Sequence, residues 1–339
     1  MSDEPSIGLA EKVAFLCRST SYPDQPDAVA TIETHMSWLF LAGAHAYKLK
    51  KPVKLEFLDY STLAARQRNC QEEVRLNRRL APAIYLGVVP LCQTGMRGLA
   101  LGGDGVVVDW LVQMRRLDRR RMLDHVIAEG SADAATVRAA AELIAQFFHD
   151  AAPAAIDPAT YRMRFAVDIE ADRGELLLPE FELPRAPIMA LAESQRRFLG
   201  KAAALIEDRA RAGRVIEGHG DLRPEHVFLG PPPAVIDCLE FNRAFRLLDP
   251  LDELAYLDLE CARLGAPTIG ASFFASHARL SGEQLPARLI AFYACHRALL
   301  RAKIAIWHLR EPDLAEPRRW RQRALDYLAL GQERAKALD

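Results

Sequence analysis

Between Val215 and Leu229 the chain reads VIEGHGDLRPEHVFL, with apolar residues on either side of a polar knot made of His219, Asp221, Arg223, Glu225 and His226. A second acid, Asp237, ends the apolar run AVI sixteen residues after Asp221 (237 − 221). Short apolar runs around a polar loop read as strand, loop, strand. Two acids and two histidines in such a loop need a reason. The plain one is a loop that caps two strands, its acids bonded to backbone amides. The alternative is chemistry.

Bulk properties narrow that chemistry. The chain has 339 residues, enough for two domains or one domain with two lobes. Half is hydrophobic, about a quarter is charged, and the formal net charge is −1, so the basic excess of a nucleic-acid binder is missing. No apolar run is long enough for a bilayer, and the start, MSDEPSIGLAEKVAFLC, lacks the basic and apolar regions of a signal peptide. Cysteines 17, 70, 92, 238, 261 and 295 are scattered without a CxxC pair. They read as reduced thiols of a cytoplasmic protein.

From Val29 to Leu49, apolar runs broken at ETHMS and AGAH predict three antiparallel strands. Ser61 or Thr62 then caps a helix running to about Leu80, and IYLGVVPLC and GVVVDWLVQM predict two further strands. After Leu117 helical periods take over: apolar residues at 140, 143, 144, 147, 148 and 151, a second helix closed by Gly213, and two more over roughly 284–309 and 316–337. The section 153–188, with its prolines, has no clear period and reads as an insertion or a mobile flap. The expected organisation is α+β: a small antiparallel sheet lobe over 1–113, a hinge at 114–118, and a helix-rich lobe over 119–339 that carries both polar loops.

HGDLRPEH followed by VIDCLEF resembles the catalytic and metal-binding loops of the two-lobed protein-kinase-like fold, closest to its aminoglycoside-phosphotransferase and choline-kinase branch. The stretches ETHMSWLFLAGAHAYKLKKPV and EEVRLNRRLAPAIYLGVVP extend a likeness to bacterial aminoglycoside-phosphotransferase-like proteins over roughly Glu33 to Lys303. The resemblance implies ATP as donor, with Mg2+ or Mn2+. It assigns Asp221 to the acceptor hydroxyl, Arg223 to the transferred phosphate and Asp237 to metal. The branch usually places Asn five residues after the loop Asp as a second metal ligand; here His226 stands there, and imidazole suits softer ions than magnesium. His219 would brace the loop.

The resemblance also calls for a Lys on the third strand and a helix Glu to hold it. In AYKLKKP, Lys48 points away from Tyr47 and Leu49. Lys50 shares its face and is the alternative. On the following helix Glu73 lies at the margin of the apolar stripe and Glu72 points about 100° further round; an ordinary surface charge is the plain reading of Glu73. No GxGxxG precedes Lys48. The turn Thr34–Ser37 could cover phosphates with its amides and Ser37, and an ordinary hairpin is equally consistent. Adenine would bond backbone near Gln113, Met114 and Arg115. Further on, Asp252 would brace the loop, Glu240 would reach metal, substrate or a salt bridge, and Arg297 and Arg301 share one helix face.

The expectation is an ATP-dependent phosphotransferase acting on a hydroxyl of a small molecule, with no nucleic-acid or membrane partner and with room for a separate partner kinase domain. Overall charge gives no sign of the acidic pocket a polycationic drug would favour. His226 in place of Asn motivates a second reading, a nucleotide-binding pseudokinase. A protein kinase is the third, opposed by DCLEF, which has no glycine after its Asp.

Overall fold

The computed structural model describes residues 7–55, 57–95, 98–311 and 316–338. They form two compact units: Met1–Arg121 with Ala234–Phe245, and Met122–Pro233 with Arg246–Asp339. Elements are numbered along the chain.

The first unit is a six-stranded antiparallel sheet with two helices. Its strands are β1 (Val29–Glu33), β2 (Ser37–Ala42), β3 (His45–Lys50), β6 (Tyr85–Thr94), β7 (Gly98–Leu101) and β8 (Val106–Arg115), in the order β1-β2-β3-β8-β6-β7. A two-residue ladder of β4 (Lys54–Leu55) and β5 (Leu58–Asp59) precedes helix α2 (Leu63–Asn77). Side-chain alternation divides β3 as its sequence requires. Tyr47 and Leu49 enter an apolar cluster with Leu16, Phe40, Leu91 and Leu111, which leaves Lys48 and Lys50 on the opposite face. Thr62 caps α2, accepting from the Ala65 amide at 3.1 Å. Buried Arg66 then locks the helix to β8 by forking onto Asp109 at 2.7 and 3.1 Å. The same Asp109 takes Lys12 at 2.8 Å, which docks α1 (Leu9–Leu16), a helix the sequence reading did not anticipate. The segment Ala234–Phe245, opened by β11 (Ala234–Val235), clusters with this unit, whereas the sequence reading left it with the helices.

The second unit holds α3 (Leu123–Ala128), α4 (Ala134–Asp150), α5 (Pro158–Leu176), α6 (Arg185–Arg211), α7 (Pro250–Arg263), α8 (Pro267–Ser281), α9 (Ala287–Trp307) and α10 (Pro317–Ala335). Four of these, α5, α7, α8 and α10, begin on proline, which suits the first helical turn because its missing N–H would lack a partner there anyway. The section 153–188 is not a flap: α5 inserts Tyr161, Phe165, Ile169 and Leu176 into the main core. Its polar face hid the stripe, because arginines and acids alternate with the buried residues. Strand β9 (Ile216–Glu217) pairs with β12 (Leu247–Leu248), and β10 (Val227–Phe228) follows the polar loop. Among the described residues no helix is long and apolar enough to cross a membrane.

Candidate active site

In the sheet unit the charges gather on Lys48. Its Nζ donates to Glu73 Oε1 at 3.0 Å and to Asp237 Oδ1 at 2.7 Å. Glu73 is fully buried and takes Lys50 on its other oxygen at 2.5 Å, so both candidate lysines reach it. Glu72 pairs with Arg75 at 2.7 Å. Lys50 also meets Glu240, which accepts from Tyr60 as well; Glu240 is thereby committed to a buried ion pair. Burial alone would lower both lysine pKa values, but Asp237, Glu73 and Glu240 outweigh it and raise them well above the ordinary range. Both stay charged.

Asp237 sits in a left-handed conformation, φ 63°, uncommon for a residue with a side chain. Two groups hold it there: the Tyr85 hydroxyl accepts the Asp237 N–H at 3.1 Å and Asn77 Oδ1 accepts the Cys238 N–H at 3.0 Å. Strain held this way fixes the carboxylate direction. The Asp237 side chain is 47% exposed. The cluster of Lys48, Lys50, Glu73, Asp237 and Glu240 carries a formal −1 (two cations, three carboxylates). A half-exposed carboxylate on a net-negative cluster fits a hard divalent cation.

The other expected nucleotide contacts are on the same unit. Ser37 is buried, its amide donating to Thr34 Oγ1 at 3.0 Å and its hydroxyl 3.0 Å from the same atom, so these groups close the turn. Gln113 and Met114 lie inside the ladder between β3 and β6. The Arg115 amide is donated to the Ile84 carbonyl at 2.8 Å.

In the helical unit the loop 218–226 is braced from α7. Glu253 accepts the His219 amide at 2.9 Å and also the Gly220 amide. That closeness requires glycine before it: a Cβ at Gly218 would lie 2.5 Å from the Glu253 carboxylate. Burial pushes Glu253 up to about 7 against the pull of those amides. His219 Nδ1 accepts the Asp221 N–H at 3.3 Å, a bracing role. Asp252 does something different from what the sequence suggested: it pairs with Arg297 at 2.7 and 3.0 Å, and the neighbouring Glu253 takes the loop.

Asp221 is held at both oxygens, by Arg223 Nη2 at 2.9 Å and by the Tyr256 hydroxyl at 3.1 Å. Burial would raise its pKa, but Arg223, His226 and Arg301 bring it down to about 2. It is an ionised, oriented acceptor. Arg223 also reaches Glu225, and its Nε has no hydrogen-bond partner. His226 has both ring nitrogens engaged within the loop: Nδ1 lies 2.8 Å from the Asp221 carbonyl and Nε2 lies 3.3 Å from Arg223. Nδ1 as donor and Nε2 as acceptor satisfies both.

The sequence reading missed Tyr256, Glu253 and Glu260. A signal was present. Asp252, Tyr256 and Glu260 recur every four residues on α7, a helix buried from Pro250 to Cys261, and a polar stripe on a buried helix needs partners.

No protein-family model matches the chain. Uncharacterized proteins of Mycobacterium tuberculosis and Mycobacterium bovis are each 32% identical to it over 301 residues, covering 85% of the chain. It spans 56% of the length of these curated relatives. Among solved structures, a choline/ethanolamine kinase family protein from Mesorhizobium loti aligns over 97% of this chain and 99% of its own, with a TM-score of 0.57 at 15% identity. The chain has the two-lobed α+β, kinase-like fold that its paired loops resemble.

Proposed function

We propose that this chain, with the fold of a small-molecule kinase, is a phosphotransferase that moves the γ-phosphoryl group of ATP to a hydroxyl of a small molecule. The observation that carries the reading is the double link of Lys48, to buried Glu73 on α2 and to half-exposed Asp237 on the return segment. A lysine anchored in this way is a fixed cation for phosphate oxygens, and the adjacent carboxylate is a place for metal.

The nucleotide, bound with Mg2+ or Mn2+, supplies the phosphoryl group and its charge neutralisation. Lys48 would contact phosphate, Glu73 positions Lys48, and Asp237 would hold the metal. His226 would offer a metal its Nε2, the nitrogen that lies 3.3 Å from Arg223. Asp221 accepts a hydrogen bond from the acceptor hydroxyl. A carboxylate with a pKa near 2 is too weak a base to ionise an alcohol beforehand. It orients the hydroxyl and takes its proton late, as the new O–P bond forms and the bond to the ADP oxygen breaks. The unpartnered Arg223 Nε is a donor for a phosphate oxygen.

The engagement of both His226 nitrogens and both Asp221 oxygens favours one second reading, a pseudokinase that binds nucleotide without transfer. ADP release from a screen of hydroxylated metabolites separates the two. Asp221→Asn should reduce transfer by about 10²–10⁴-fold while ATP still binds. Equal loss of ATP affinity would remove Asp221 from the acceptor side.

A further inference from the structure

Strand β3 turns two lysines to one face, and their surroundings differ. The Lys48 side chain is 17% exposed and that of Lys50 is 1% exposed. Between them Glu73, fully buried on α2, divides its carboxylate: Oε1 accepts from Lys48 at 3.0 Å and Oε2 from Lys50 at 2.5 Å. Lys50 also donates to Glu240 Oε1, and its Nζ lies 3.5 Å from the Tyr60 hydroxyl and 4.9 Å from the centre of the Tyr60 ring. An ammonium has three protons, and three oxygens lie within reach of this one.

These contacts form one chain of alternating sign: Asp237, Lys48, Glu73, Lys50, Glu240. It begins and ends on the return segment, at residues three apart (240 − 237), and all its members belong to the sheet unit. Its two ends are unlike. The outer end, Lys48 with half-exposed Asp237, can be reached by a ligand. The inner end, Lys50 with Glu240, is buried, and Tyr60 bonds to both of its members.

That difference matters once phosphate and metal arrive. Lys48 and Asp237 are bonded to each other at 2.7 Å. Phosphate on Lys48 and a cation on Asp237 would compete with that bond, so both side chains must be able to yield. Were Lys48 the sole cation on Glu73, its shift toward phosphate would leave a buried carboxylate without a counter-ion, a costly state. Lys50 keeps a counter-ion on Glu73 throughout. It also keeps Glu240, and with it the return segment, tied to β3 when Asp237 gives up Lys48.

We propose that Lys50 is a positioning residue for the nucleotide and its metal: it touches neither, and by holding Glu73 and Glu240 it lets Lys48 and Asp237 exchange their mutual bond for phosphate and a divalent cation. This rests on the phosphotransferase reading and gives the two β3 lysines separate tasks. Without Lys50 the charge of Glu73 falls on Lys48 alone, which is then held back from phosphate. Asp237 at the same time loses the fixed point three residues along its segment.

The test is calorimetric titration of the full chain with ATP, in EDTA and then in Mn2+, for wild type, Lys50→Met, Glu240→Gln and the double variant. Circular dichroism and a melting transition first establish that each is folded. Lys50→Met should weaken ATP in both conditions by about tenfold or more. Glu240→Gln leaves Glu73 with both lysines, so it should weaken the Mn2+-dependent gain more than it weakens ATP alone. The double variant should lose little beyond Lys50→Met, since one chain of contacts carries both effects. Folded variants with lower melting temperatures but wild-type affinities would reduce Lys50 to a stability contact and overturn the proposal, as would additive losses. If Lys50→Met does not fold, Glu240→Gln decides: a Mn2+-dependent gain equal to that of wild type would overturn the proposal. ATP bound equally by wild type and Lys50→Met sinks this assignment alone, whereas wild type that binds no ATP sinks the phosphotransferase reading and takes this proposal with it.

Discussion

Asp221 shows what a single residue owes to its neighbours. Buried alone, its carboxyl would titrate above the ordinary carboxylate range; Arg223 is the largest influence opposing burial, followed by His226 and Arg301. The folded pKa is depressed to about 2, so the group's contribution to stability is present above the unfolded pKa of about 4 and is lost as pH falls toward 2. Removing the main cation should reverse the balance. Arg223→Gln is expected to move the Asp221 titration, followed by carboxyl carbon NMR, upward by at least about one unit, since desolvation then acts with less opposition. A titration unmoved by the substitution would show that Arg223 does not set the charge of Asp221. The sequence made Asp221, Arg223 and His226 visible because they lie within six positions of one another. It hid Tyr256 and Glu253, whose role depends on how α7 packs against the loop and not on any local spacing.

At the scale of elements, strands β1–β3 and β8 and the helices α2, α4, α9 and α10 were legible because each has one period and clear ends. Thr62 and Gly213 act at the ends where they were expected. Helix α5 was not legible. Its buried positions, Tyr161, Phe165, Ile169 and Leu176, are separated by arginines and acids that pair elsewhere, for example Arg162 with Glu207 at 2.9 Å and Lys303 with Asp172. Packing against α6 and α9, not intrinsic amphipathicity, decides it. Phe165 packs on Tyr161 of its own helix at 5.5 Å between ring centroids and on Phe292 and His296 of α9 at 5.4 and 5.0 Å. Phe165→Ala should cost about 3–5 kcal/mol of unfolding free energy, measured by denaturant titration, because aromatic packing is lost and the cavity cannot fully collapse. A loss below about 1 kcal/mol, the range of surface substitutions, would return α5 to the status of a peripheral flap.

At the scale of the whole molecule the return segment Ala234–Phe245 was the least readable feature. It follows the polar loop closely in sequence, yet it clusters with the sheet unit, held through Tyr85 and Asn77. Those long-range bonds, with the Lys48–Asp237 pair itself, turn Asp237 toward Lys48. The consequence is measurable. Whatever binds the native state but not the unfolded chain stabilises it by mass action, about 2.7 kcal/mol at a hundredfold excess over the dissociation constant. On the proposed function ATP alone should raise the melting temperature through Lys48, and ATP with Mg2+ or Mn2+ should raise it further through Asp237. Asp237→Ala deletes the carboxylate but leaves the Lys48–Glu73 pair, so it should keep the ATP shift and lose most of the metal-dependent increment. Lys48→Ala should do the opposite to the ATP shift. If Asp237→Ala keeps the full increment, the metal is held elsewhere. If neither ATP nor GTP moves the melting temperature of the wild-type chain, no nucleotide is bound, and both the phosphotransferase and the pseudokinase readings fall together.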